Sequence, residues 1–102
     1  MIKQRSKIAI ITSSLGGGGA QKSSANLSFV LSKLNYEVHI ISILNQVDYE
    51  FRGQLLNLGV IRDKDNSLIG RTKRFLVFLK YLRSHNFEYV IDSRARPTFF
   101  KQ

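Results

Sequence analysis

The residues best suited to chemistry lie in one stretch, "SSLGGGGAQKSS", Ser13–Ser24. Gly16, Gly17, Gly18 and Gly19 run together and are followed by Ala20, Gln21 and Lys22. Backbone without side chains lets N–H groups come close to a phosphate or a sugar. A helix starting directly afterwards adds the partial positive charge of its N-terminus. Gln21, in the first turn, would offer a side-chain amide to the same ligand. Two phosphate motifs fail here by one residue. The P-loop, G-x-x-x-x-G-K-[ST], needs its last glycine where Gly16–Ser23 has Gln21. No strand ends in a convincing magnesium-binding aspartate, although Asp92 closes an apolar run. The dinucleotide fingerprint G-x-G-x-x-G also needs its third glycine at Gln21, and no acidic residue for a ribose follows the second strand before Asp48. Residue types alone leave two readings, a ligand-facing loop or a tight strand-to-helix turn. One glycine would satisfy the turn.

Two further groups carry charge at places where it could be used. Asp92, Arg94 and Arg96 follow the apolar run "YVI". An arginine there would hold an acceptor phosphate or an acidic sugar; the plainer reading is a solvent-facing loop. Arg71, Lys73, Arg74, Lys80 and Arg83, beside Phe78 and Tyr81, would rest on an anionic membrane surface or form an ordinary solvated helix face. His39 sits inside an apolar run and reads as a satisfied core or edge histidine. His85 follows a helix and is expected to cap it or face water. The two histidines have no ligand spacing and the chain has no cysteine, so no metal site, disulfide or thiol nucleophile is expected.

The elements that must position these residues follow from hydrophobic periodicity. "KIAIIT" (Lys7–Thr12) and "EVHIISIL" (Glu37–Leu44) are continuous β-branched runs, as in strands buried on both faces of a parallel sheet. Between them, Leu27, Val30, Leu31 and Leu34 have the spacing of an amphipathic helix over Ala20–Leu34. Asn35 suits a left-handed helix end. This is a βαβ unit with a right-handed crossover, and it puts the glycines at the carboxyl end of the first strand, where open α/β sheets bind ligands. A short strand is expected at Gln54–Leu58, a loop at Arg62–Ser67, and a second helix over Ser67–Ser84. The core face of that helix would be Leu68, Thr72, Phe75, Leu76, Leu79 and Leu82. A fourth strand is expected at Glu88–Ser93. Pro97 fits the first turn of another helix. That signal comes so close to Gln102 that the chain reads as a truncated first half of an α/β domain.

The 102 residues suffice for one small domain with one core. A net charge of +9 points to an anionic partner or to a basic, solubilising surface. No apolar run approaches the roughly 20 residues needed to span a bilayer, and "IAII" is too short for a signal peptide core. A cytoplasmic protein is therefore expected. The basic residues are scattered and no recognition-helix or RNP motif is present, so nucleic acid is not the expected partner.

Lys7–Ile43 resembles the opening of family 4 glycosyltransferases of the GT-B fold (glycosyltransferase group 1 type). These begin with a strand, a loop carrying G-G-A-[EQ]-[RK], a helix and a second strand. The matching residues are Gly18, Gly19, Ala20, Gln21 and Lys22, then Ala25, Asn26, Leu27, Leu31 and Val38. Asn35 replaces the usual glycine before the second strand. The resemblance continues loosely to "FEYVIDSRARP", where Ile91-Asp92-Ser93-Arg94 lacks the family's histidine.

The resemblance implies a Rossmann-like α/β/α domain, residues 1–102, with a parallel sheet of about four strands: half of a GT-B N-terminal, acceptor-side domain. It implies transfer of a sugar from a nucleotide-sugar to a glycan or lipid-linked acceptor, with no bound metal or cofactor and with peripheral attachment to the inner face of the cell membrane. The glycine loop would face the donor diphosphate and sugar. No glutamate pair here fits the E-x7-E motif of the donor half, so the chain alone is expected to be inactive. The alternatives are a basic nucleic-acid-binding module and a non-enzymatic interaction domain prone to self-association.

Overall fold

The computed structural model describes residues 6–65, 67–93 and 98–101. The elements are β1 (Lys7–Thr12), α1 (Gly19–Lys33), β2 (Glu37–Ser42), β3 (Gln54–Asn57), α2 (Leu58–Lys64), α3 (Leu68–His85), β4 (Tyr89–Asp92) and β5 (Thr98–Lys101). They form one sheet in the order β3-β2-β1-β4-β5. The first four strands in that order are parallel, and β5 runs antiparallel to β4. The fold is α/β and Rossmann-like.

The β-branched runs explain the centre of the sheet. β1 and β2 pair from Lys7–Glu37 to Thr12–Ser42, and five of six residues in each strand are buried. Alternate side chains feed two cores. Ile10, Val38 and Ile40 point to the α1 side, joined by Leu15 and Ala25. Ala9, Ile11 and Ile41 point to the other side, with Leu58, Phe87 and Val90. Helices on both faces complete three layers.

The helices use different faces from those expected. α1 buries Ser24, Ala25 and Ser28. These small residues let it lie close to the sheet, with Leu27 and Leu31 packing alongside; Val30 and Leu34 are exposed. On α3 the expected core face is overturned in its first half: Leu68 is 77% exposed, Phe75 59% and Leu76 58%, and Thr72 is exposed too, whereas Leu79 is half-buried and Leu82 packs on the core as expected. Val77, Phe78 and Tyr81 pack against the sheet in place of the others. Gly70 sets this rotation, because a Cβ there would collide with the Asp65 carbonyl oxygen. The helix must therefore present Gly70 to the chain that precedes it.

Two segments differ in kind. Part of the expected Arg62–Ser67 loop belongs to α2, which Asn57 caps by accepting a hydrogen bond from Gly59 N at 3.0 Å. Thr98–Lys101, expected to open a helix, is β5. Its "TFFK" sequence carries strand propensity, and antiparallel pairing with β4 needs only a short connection. Pro97 itself lies outside the described residues.

Candidate site at the carboxyl edge of the sheet

The strand order reverses direction between β1 and β4, the switch point at which open α/β sheets bind ligands. The glycine loop leaves β1 there and Ser93 leaves β4. Ser93 ties the two strands: its N–H and its hydroxyl both donate to the Ile11 carbonyl, at 2.9 and 3.0 Å. Ser24 of α1 lies 2.7 Å from Ser93 Oγ. Either hydroxyl can donate in this contact. This pins the first turns of α1 against the end of β4.

Buried hydroxyls build the start of the loop. Thr12 Oγ1 donates to Ser14 O and Ser14 Oγ donates to Gly16 O, each at 2.9 Å. Leu15 is fully buried and bridges to Val47. Its N–H donates to Gln46 O, and its carbonyl accepts from Asp48 N and Tyr49 N.

The four glycines are not equivalent. A Cβ on Gly16 would collide with the Asp48 carboxylate, itself held by Gln46 Nε2 at 2.9 Å. Gly17 has φ +91°, a left-handed conformation that costs other residues about 1–2 kcal/mol. Gly18 is the N-cap of α1, and a Cβ there would press on the end of the flexible Gln21 side chain. Gly19 differs from these: nothing stands within 4 Å of where its Cβ would be, and it lies inside the helix. Neither packing nor backbone conformation requires a glycine there.

Gly17, Gly18 and Gly19 are exposed. The N-cap of α1 has no side-chain hydrogen bond, and its first turn has no acidic residue. The helix thus begins with its positive end open to solvent. An anion placed there would meet backbone N–H groups first.

Of the other expected site residues, Asp92 is half-buried at the end of β4, on the same sheet edge. Arg94 and Arg96 lie outside the described residues. Arg71, Lys73, Lys80 and Arg83 are exposed on α3, whereas Arg74 turns inward. Sequence reasoning missed Ser24 and Ser93, since isolated serines carry no signal until the topology brings them together. It also missed how Asp48 abuts Gly16.

A second polar cluster sits toward the amino edge of the sheet. His39 is fully buried, with Nε2 2.6 Å from Glu37 Oε2 and Nδ1 2.6 Å from the Tyr81 hydroxyl. The expected satisfied core histidine is what the structure contains. His85 neither caps α3 nor stands free in water. Its ring packs on Tyr81, His39 and Phe87, with centroids 4.2, 4.6 and 5.6 Å away. Asn86, at φ +51°, ends α3 instead. Burial and then the Glu37 charge push the Tyr81 hydroxyl pKa up.

Among the described residues no group of three histidine or acidic side chains is placed to hold a metal, and no helix is long and apolar enough to cross a membrane. In comparisons with family models, curated proteins and solved structures, nothing matches the chain.

Proposed function

We propose that this chain is the acceptor-side, N-terminal part of a glycosyltransferase of the family 4 kind. It would serve the transfer of a sugar from a nucleotide-sugar to a glycan or lipid-linked acceptor. The observation that carries the reading is Gly19. Its missing Cβ serves no need of the fold, yet it keeps the open end of α1 bare at the switch point. A diphosphate seated there would accept hydrogen bonds from the Gly19 amide and from the Gly18 amide, which would give up its 3.3 Å bond to Gly16 O, and the helix dipole would stabilise charge developing on the leaving group. Gln21 stands in the first turn for a further polar contact. In this reading the nucleotide-binding half, with its acidic motif, belongs to a second domain or a second chain.

The reading includes peripheral attachment to an anionic membrane on the cytoplasmic side. Exposed Leu68, Ile69 and Leu76 share α3 with exposed Arg71, Lys73 and Lys80, a mixture suited to an interface between headgroups and acyl chains.

The test is sugar transfer by the complete enzyme with Gly19→Val. Turnover should fall by about 100-fold, as for loss of a preorganised oxyanion-type contact, while the unfolding transition is kept. Unchanged turnover would remove the loop from the mechanism. In the isolated chain, pyrophosphate should shift the amide resonances of Gly18, Gly19 and Gln21. Tight nucleic-acid binding with a steep salt slope would favour the basic-module alternative. Concentration-dependent dimers without a pyrophosphate response would favour the interaction-domain one.

A further inference from the structure

We propose that the pocket between the carboxyl ends of β1 and β2 and the first half of α3 binds an amphipathic anion: a compact apolar body bearing one carboxylate or phosphate. This site is on the α3 face of the sheet and does not depend on the glycine-loop part of the proposed function; it shares only Arg71 with the membrane-facing residues of α3.

The pocket has a volume of about 390 Å³. That is within the range of small-molecule sites and leaves room for a body of about eight to ten carbons with its headgroup. Ile11, Ile43, Leu58, Phe75 and Phe78 provide apolar walls, and Arg71 and Arg74 provide charge. Apolar walls with a few converging polar groups are the usual composition of such sites.

Arg74 makes the pocket specific for an anion. Its Nη1 is shut off from solvent and has no hydrogen-bond partner among the described residues. A desolvated, unpartnered donor on a charged group is unfavourable to folding. No carboxylate lies within ion-pair distance of Arg71 or Arg74 among the described residues. Asp65 feels the Arg74 charge only weakly, and its carboxylate already accepts from Ser67 N at 3.0 Å and Ser67 Oγ at 2.5 Å. A carboxylate or phosphate in the pocket, met by a small turn of the guanidinium, would supply the missing acceptor in the forked geometry arginine favours. Phe75, largely exposed on α3 yet lining the pocket, would be covered by the ligand's apolar body.

The experiment uses the full chain and methyl and amide NMR, with octanoate and octyl phosphate as probes and 1-octanol, acetate and inorganic phosphate as controls. Octanoate and octyl phosphate should shift the Ile11, Ile43 and Leu58 methyls saturably. The controls should bind at least about 10-fold more weakly, since each lacks the charge or the body. Arg74→Met keeps the stem length and should lower octanoate affinity by about 10- to 100-fold, the range for a hydrogen bond to a charged group. Arg74→Lys should fall in between. Equal binding of 1-octanol, unchanged affinity in Arg74→Met with a native spectrum, or shifts centred on Leu68 and Ile69 would each overturn the assignment. Displacement of octyl phosphate by phosphatidylglycerol vesicles would support the site with a lipid headgroup as the natural source. Retention would support it with a free amphiphile.

Discussion

His39 Nε2 and Glu37 Oε2, two residues apart on one face of β2, are joined by a 2.6 Å hydrogen bond wholly inside the fold at the histidine end. Because the carboxylate can only accept, Nε2 carries a proton. When the ring is neutral, Nδ1 accepts from the Tyr81 hydroxyl. The His39–Tyr81 bond links β2 to α3, and Lys7 approaches the Glu37 carboxylate at 3.9 Å. Removing the ring leaves a cavity and takes one hydrogen-bond partner each from Glu37 and Tyr81. His39→Ala is expected to lose about 3 kcal/mol in urea unfolding, and Tyr81→Phe about 1 kcal/mol. Equal losses would show that Tyr81 does more than satisfy the ring.

His85 gives the same region a pH dependence. Burial, then the neighbouring His39 and Lys7, hold its imidazole below the ordinary 6.5, while Glu37 pulls the other way. The unfolded chain therefore takes up this proton more readily than the folded one. The resulting stability is present above pH 6.5 and is lost as pH falls toward the lower folded value. Urea midpoints should drop between about pH 7.5 and about pH 5.5, and His85→Gln should reduce the slope. A slope unaltered by His85→Gln would assign it elsewhere.

The glycine loop should separate stability from binding. Gly19→Ala, inside a helix and free of clashes, is expected to raise stability by about 0.5 kcal/mol while weakening pyrophosphate binding. Gly17→Ala forces an alanine to φ +91° and should lose about 1–2 kcal/mol. Thermal unfolding and a pyrophosphate titration check both. A Gly19→Ala variant that binds pyrophosphate as well as the parent would leave the bare helix end without a purpose.

On α3, Ile69→Glu should leave stability within about 0.5 kcal/mol, since the side chain is 68% exposed. In the membrane reading it should cut binding to phosphatidylglycerol vesicles at least about 10-fold, and Lys73→Glu should act in the same direction. Co-sedimentation that ignores both substitutions, or ignores lipid charge, would remove the membrane from the proposal.

Where the sequence carried strong local patterning, it foretold the structure closely. "KIAIIT" became β1 without change, and Asn35 took the left-handed conformation expected of it, with φ +70°. The second helix began one residue after Ser67, which caps it through Gly70 N. The faces of the helices were hidden for a physical reason. α3 carries more apolar residues than one face can hold, so periodicity could not say which set met the sheet. The close approach demanded by Gly70 decided it. The second half of the candidate site was illegible too, because Ser24 and Ser93 lie 69 residues apart in sequence and meet only through the β1–β4 pairing.

The tether at Leu15 makes the two ends of the glycine loop mechanically unequal. One end is an abutment, clamped to Gln46, Asp48 and Tyr49 and built on buried hydroxyls. The other, Gly17–Gly19, is a bare lip in solvent. Whatever order a ligand imposes is confined to that lip, so little of its binding energy is spent on arranging the rest of the loop.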